Sequence, residues 1–125
     1  MALTNAGRNL IASLLTGVGT VFNNANASIG VGNSSTAFDA AQTDLQGASK
    51  LRKGMDMGYP LLVDNVLTFR STYAAGEANF AWEEWAMFNA LAAGTMLNRV
   101  VEYNGTKLVG QTWVFETEIT IALGV

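Results

Sequence analysis

Apolar and polar residues alternate along the C-terminal segment QTWVFETEITIAL, residues 111–123. One side of an extended chain here carries mostly apolar residues: Trp113, Phe115, Thr117, Ile119, Ile121 and Leu123. The other side carries Val114, Glu116, Glu118, Thr120 and Ala122. Because strand side chains point alternately to two faces, this pattern predicts a strand of an antiparallel sheet with one face buried. The segment VLTFRSTYA, residues 66–74, alternates similarly and is predicted as another strand.

Shorter segments add further strand candidates. ASIGVG at 27–32 is predicted as a short buried strand, and KLRKGMDMGYP at 50–60 as an extended segment that stops at the only proline. TMLNRVVEY at 95–103 is a strand candidate that precedes Asn104-Gly105, a pair typical of turns. Asp64-Asn65 is a second predicted turn. Several strands separated by glycine- and asparagine-rich turns favour a β-sandwich.

Residues 36–47, TAFDAAQTDLQG, follow no clear period. We expect an irregular or weakly helical excursion, with Gln42 and Asp44 facing solvent. No internal repeat or low-complexity linker is visible, so the chain is predicted to form a single domain over residues 1–125.

The N-terminal segment TNAGRNLIASLLT, residues 4–16, has the pattern of a helix. Thr4 is a favourable N-cap, and Gly17 can end the helix in a left-handed conformation. Four apolar residues recur at helical spacing and form one stripe: Leu10, Ile11, Leu14 and Leu15. We expect the stripe to pack onto its own domain rather than into a partner. The predicted fold is therefore mainly β, an antiparallel β-sandwich over about 27–125 with one N-terminal α-helix over about 4–16.

The segment NFAWEEWAMFNA, residues 79–90, supports two interpretations. Extended to Gly94, its content of Glu, Ala, Met and Leu favours a helix. As a strand it would place Trp82 and Glu84 on one face and Glu83 and Trp85 on the other. Periodicity alone does not decide between helix and strand.

Composition excludes several classes of function. The 125 residues include no Cys and no His, so serine–histidine and cysteine–histidine nucleophile systems and thiolate metal sites are absent. Only 14% of the residues are charged, below the roughly 25% of an average domain, which predicts that part of the surface is buried in a homo-oligomer or against a partner. The net charge of −3 argues against nucleic-acid binding. No apolar run of about 18 residues predicts a membrane span.

Two pairs of carboxylates are the candidates for chemistry. Glu83 and Glu84 are neighbours, so on a strand or a helix they diverge and do not form a catalytic unit by themselves. We expect one of them to face solvent and the other to pair with Arg99 or Arg70. Glu116 and Glu118 share a strand face about 7 Å apart and, with further oxygens, can bind a hard cation such as calcium. A polar stripe is the favoured interpretation, so no catalytic, metal or cofactor site is predicted.

The remaining candidates are possible interface residues: Trp82, Trp85, Trp113, Lys50, Arg52, Lys53 and Arg99. The three tryptophans are expected to be core or interface anchors, and they form a sugar-binding platform only if exposed. Lys50, Arg52 and Lys53 are the only basic cluster, with Lys50 and Arg52 on one strand face. A solvated face or salt bridges to an acidic neighbouring subunit suit this cluster better than a nucleic acid does.

Several motifs resemble those of a known group of proteins. The opening ALTNAGRNLIA is similar to the first helix of phage tail-collar fibre domains, and ASIGVG resembles their first strand. FAWEEWAMFNALAAGTMLNR, residues 80–99, resembles their motif of an acidic residue, an apolar cluster, a Gly turn and a strand ending in Arg. As a whole, the chain looks like small phage virion proteins that carry IGVG, LRKGMD and GTMLNR.

The resemblance implies a β-sandwich with an N-terminal helix that serves as a structural part of a virion. It also favours strand for residues 80–87. Because the chain carries no fibre shaft, a capsid decoration (cement) protein is preferred to a tail, collar or baseplate component. The expected partners are copies of the chain itself and other virion proteins such as the major capsid protein. The alternatives are a carbohydrate-binding host-attachment module and, least favoured, a small hydrolase with paired carboxylates.

Overall fold

Two antiparallel sheets and one short helix make up the computed structural model, which describes residues 2–124. The elements are α1 (Asn5–Leu15), β1 (Ser28–Gly32), β2 (Lys50–Gly54), β3 (Leu61–Val63), β4 (Val66–Tyr73), β5 (Glu84–Phe88), β6 (Val100–Val101) and β7 (Trp113–Thr120). One sheet has the strand order β2-β1-β5-β6, and the other has the order β3-β4-β7. The predicted mainly β sandwich with an N-terminal helix is confirmed. No described helix is both long enough and apolar enough to cross a membrane.

The longest strand pair is β4 with β7, which match residue for residue from Val66↔Thr120 to Tyr73↔Trp113. The predicted alternation of β7 is confirmed, because its inward residues are half-buried and its outward ones exposed. The predicted strand nevertheless extends too far. Ile121 and Leu123 are 67% and 96% exposed, because β4 begins at Val66 and offers no ladder beyond Thr120.

The ambiguous segment is a strand from Glu84 to Phe88, and all five residues of β5 are buried. Trp85 and Met87 face the space between the sheets, where they join apolar side chains of the opposite sheet. Ala86 and Phe88 face the other way and pack with Leu45 and Met96. Burial on both faces explains why no amphipathic period is visible and why tertiary contacts override helix propensity.

The segment 95–103 forms less strand than predicted. Only Val100–Val101 is a strand, while Met96 and Asn98 make isolated bridges to Phe88 and Leu3. The strands on either side of Gly105 do not pair with each other, because β6 pairs with β5 and β7 pairs with β4. Conversely, β3 was not predicted. It forms a hairpin with β4 around the predicted turn at 64–65, where Asp64 has a φ of 52°.

Helix α1 is attached to the domain through its first turn. The Thr4 hydroxyl accepts a hydrogen bond from the Gly7 N–H, which confirms Thr4 as the N-cap, and the Thr4 N–H donates to the Leu97 carbonyl. Gly7 is the only buried residue of the helix, and a Cβ there would overlap the Leu97 carbonyl oxygen. The apolar stripe is covered only in part, since Leu15 is 85% exposed.

Candidate functional site

Glu84 and Arg99 form an ion pair that is closed to solvent. The Arg99 Nε lies 2.6 Å from the Glu84 Oε2, and both side chains are 0% exposed. The same carboxylate accepts backbone hydrogen bonds from Gly47 N–H at 2.7 Å and from Gln46 N–H at 3.1 Å. Both carboxylate oxygens are therefore occupied by donors of the protein itself, which suits a structural role and not proton transfer to a substrate.

The remaining donors of Arg99 bind the irregular segment of residues 36–47, which precedes β2. Its Nη1 donates to the Thr36 carbonyl at 2.9 Å and to the Gln42 Oε1 at 3.2 Å. Both partners of the ion pair therefore form hydrogen bonds that hold the loop of residues 33–47 against the sheet. Gln42 is half-buried and bonded to Arg99, so the prediction that it faces solvent is wrong. The Asp44 side chain is 43% exposed, as predicted, and pairs with Lys50. The Arg99 guanidinium lies beneath the loop and draws Gln42 inward. No local sequence pattern indicates this contact.

Glu83 and Glu84 separate as expected for neighbours on an extended chain. The Glu84 side chain points into the buried network. Glu83 is half-buried, and its backbone N–H donates to the Gly32 carbonyl. Of the two expected arginine partners, Arg99 is the one that pairs with Glu84. Arg70 instead lies 3.2 Å from the Asp56 carboxylate.

The basic cluster is engaged within the chain. Lys50 and Arg52, on one face of β2 as predicted, lie 2.8 Å and 3.4 Å from the Asp44 carboxylate. Lys53, on the other face, lies 2.7 Å from Glu77. Burial opposes ionisation of Asp44, but hydrogen bonds from the Lys50 ammonium and the Leu45 N–H hold its pKa below the ordinary value. The Lys53 ammonium and the Ala74 N–H lower the pKa of Glu77.

The tryptophans belong to the core and its margin. Trp82 and Trp85 are 2% and 8% exposed, and Trp113 is half-buried. Trp82 makes edge contacts with Tyr73 and Trp113 at centroid distances of 4.8 Å and 5.0 Å. The Trp85 indole N–H donates to Glu102 Oε1 at 3.0 Å. The tryptophans were predicted to be core or interface anchors. Trp82 and Trp85 are core residues, and neither offers an exposed ring face to a sugar.

Glu116 and Glu118 are exposed on the outer face of β7, as predicted. Across the ladder they stand opposite Arg70 and Thr68. Among residues 2–124, no group of three or more acidic side chains is placed to hold a metal ion. The two glutamates therefore form an acidic stripe on one face of the sheet.

An apolar groove runs between α1 and the sheet β3-β4-β7. Its cavity measures about 270 Å³. The α1 groove is lined by Ile11, Leu15, Phe22, Leu67, Ile119 and Ile121, among other apolar residues. Beside it, the three residues of β3 are all exposed. The groove lies between the apolar stripe of α1 and inward-facing residues at the start of β4 and at the end of β7, together with Ile121 just beyond β7. The sequence pattern indicated both sides of the groove but not that they lie together.

Two buried polar residues were not singled out from the sequence. Lys107 is 1% exposed, and its ammonium donates to the Ala74 carbonyl and to Asn79 Oδ1, both at 2.7 Å. The Tyr73 hydroxyl donates to the Ile29 carbonyl at 2.6 Å and thereby joins the two sheets. No local pattern marks either residue, because each partner lies far away along the chain.

The chain matches no protein-family model and no curated protein.

Proposed function

We propose that this protein is a phage virion structural protein, a capsid decoration (cement) protein that acts through protein–protein contacts. The observation that carries the proposal is the α1 groove, an apolar surface left open beside the exposed residues of β3. Exposed apolar patches of this kind are typical of surfaces that other proteins cover. The expected partners are further copies of the chain and the major capsid protein.

The state of the charged groups supports a role in contacts rather than in chemistry. Glu84 is saturated by Arg99 and two backbone N–H groups. Lys50, Arg52 and Lys53 are paired with carboxylates of their own chain. These side chains therefore stabilise a rigid scaffold, and the apolar α1 groove remains open to a partner.

The resemblance of the chain to small virion proteins supplies the biological setting. On a symmetric particle, a weak apolar contact is repeated many times, and avidity makes the repeated contact strong. A small sandwich with an open groove is suited to this use, because it needs only one modest contact surface per copy.

Quantitative mass spectrometry of purified particles tests the proposal. We expect the protein to be present on the order of hundreds of copies per particle, as decoration of a symmetric capsid requires. About a dozen copies or fewer would assign it to the tail or collar instead. Particles that lack the protein would refute a virion role altogether.

A further inference from the structure

The outer edge of β7 is the longest unpaired strand edge within residues 2–124. β7 pairs with β4 over eight residues and is the last strand of its sheet. No backbone hydrogen bond joins its residues to any described segment other than β4. In an antiparallel pair, alternate N–H and C=O groups point away from the partner strand. The edge thus presents a row of free donors and acceptors to an additional strand.

A cleft lies directly beside this edge, between β7 and β6. Its cavity measures about 540 Å³. The lining is mixed, with five apolar residues (Ala2, Phe38, Trp85, Val100 and Val101) and four polar ones (Arg99, Glu102, Thr117 and Glu118). The inward residues of β7, from Trp113 to Ile119, are only half-buried at this margin. A strand added to β7 would direct every second side chain into this partly apolar cleft, toward Phe38, Trp85 and Val100.

The opposite face of the same edge carries two carboxylates, with Arg70 of β4 opposite the first of them, Glu116. Glu116 and Glu118 are exposed there at a spacing of two residues, which matches the spacing of side chains on one face of an added strand. The only basic residue lining the cleft is Arg99, and it is fully buried in its pair with Glu84. An incoming strand therefore meets carboxylates on its outer face, to which Lys or Arg is complementary.

The same charges act against pairing of two copies through β7. An antiparallel β7–β7 contact centred on Thr117 would set Glu116 of each copy opposite Glu118 of the other. Like charges directly opposite each other in a sheet are destabilising. Pairing of two copies in that register is therefore disfavoured, whereas a strand that carries Lys or Arg at these positions is favoured.

We propose that the β7 edge binds an extended segment of another protein in which apolar residues alternate with Lys or Arg. The segment adds to the sheet β3-β4-β7 as a fourth strand, with main-chain hydrogen bonds providing affinity and the alternate side chains providing specificity. This inference rests on the proposed function in one respect, since the partner would be another virion component. Binding of a peptide is nevertheless a property of the isolated chain, so its failure is distinguishable from absence of the protein in particles.

Fluorescence anisotropy and amide NMR of the full chain test the inference with labelled synthetic peptides. One peptide of eight residues, the length of β7, alternates valine with lysine, and a matched peptide alternates valine with glutamate. We expect the lysine peptide to bind at least about tenfold more tightly than the glutamate peptide, and to bind more weakly as salt is raised. The amides of β7 should become protected from exchange when the lysine peptide binds.

A charge variant and a matched control locate the interaction. The double variant E116Q/E118Q should weaken binding of the lysine peptide about tenfold. The control L108K/V109K raises the net charge by the same amount at two exposed residues outside the cleft, and should leave binding unchanged. Equal binding of both peptides, equal weakening by the control, or absence of any change at the β7 amides would overturn the inference. Self-association of the free chain with β7 amides already protected would also overturn it.

Discussion

The guanidinium of Arg99 meets the carboxylate of Glu84 at 2.6 Å in a site that no solvent reaches. The two residues belong to neighbouring parts of one sheet, since Glu84 begins β5 and Arg99 directly precedes β6. Their remaining hydrogen-bonding groups reach Thr36, Gln42 and Gly47 in the loop of residues 33–47. One charged pair therefore fixes a long irregular segment over a buried sheet.

Replacing Glu84 with glutamine should destabilise the protein severely. Glu84→Gln leaves the Arg99 charge buried without a counter-charge, and removing one partner of a buried pair costs about 3–5 kcal/mol. Urea unfolding at neutral pH measures the change in the free energy of unfolding, and hydrogen exchange at the Gly47 amide should accelerate. Lys50→Ala is the control, because both side chains of the Lys50–Asp44 pair are about two-fifths exposed and such pairs contribute about 0–1 kcal/mol. Equal losses in the two variants would contradict the structural role of Glu84.

Adding one methyl group at Gly7 should weaken the docking of α1. In an exposed helix Gly→Ala is stabilising by about 1 kcal/mol, but here the new Cβ overlaps a backbone oxygen of Leu97. We expect Gly7→Ala to lower the free energy of unfolding by about 1–3 kcal/mol, measured by thermal or urea unfolding. Gly76→Ala, where a Cβ meets no atom within 4 Å, should change it by less than about 0.5 kcal/mol. Stabilisation by Gly7→Ala would show that the helix is not held as described.

The contribution of Glu77 to stability should disappear in acid. A hydrogen bond from Lys53, with one from the Ala74 N–H, lowers the pKa of Glu77 below its ordinary value in the folded protein. The stabilisation is therefore complete above the unfolded-state pKa and is lost as the pH falls through the lower folded-state pKa. Glu77→Gln should lower the urea midpoint at pH 7, measured by circular dichroism, and the difference from the wild type should shrink as the pH falls through the folded-state pKa. A difference that does not change with pH through the acid range would rule out this linkage.

Removing the hydroxyl of Tyr73 should cost stability because it removes a buried hydrogen bond that joins the two sheets. The hydroxyl donates to the Ile29 carbonyl between the two sheets, and burial raises its pKa, so it stays a donor. We expect Tyr73→Phe to lower the free energy of unfolding by about 1–2 kcal/mol in urea titrations. Tyr103→Phe is the matched change at a residue 62% exposed, and it should cost less than about 0.5 kcal/mol. A loss at Tyr73 no larger than at Tyr103 would refute the assignment.

Local periodicity was enough to predict the elements whose two faces differ. The alternation from Trp113 to Thr120 follows from one face being half-buried and the other exposed. The stripe of α1 marks the side of the helix that faces the groove, where it is covered only in part. β5 could not be assigned in this way, because the loop at Leu45 covers its second face and removes the contrast between faces. The predicted strand at 95–103 is longer than β6 for a related reason. Met96 and Asn98 are buried, as strand residues often are, but they are not continuously paired.

The buried charges were less accessible to prediction than the strands. Arg99 was named as a partner for one of the two glutamates, but its use of Thr36 and Gln42 depends on where the loop crosses the sheet. The α1 groove likewise depends on the angle at which the helix leaves its first turn. Such relationships join residues that are distant in sequence, and no single segment carries them.

The central claim is that this protein works through its exposed apolar surface at the α1 groove. Leu15 and Ile121 line the groove and are 85% and 67% exposed, so L15K/I121K should fold with a stability change of less than about 1 kcal/mol. The matched variant L108K/V109K places the same two charges at exposed apolar residues outside the groove.

The most direct measurement is the copy number of each variant in purified phage particles that have no other source of the protein. Quantitative mass spectrometry should find L15K/I121K reduced at least about tenfold relative to the wild type, because charge is introduced into an apolar contact. L108K/V109K should be retained at the wild-type copy number. Retention of folded L15K/I121K at the wild-type copy number would contradict the claim.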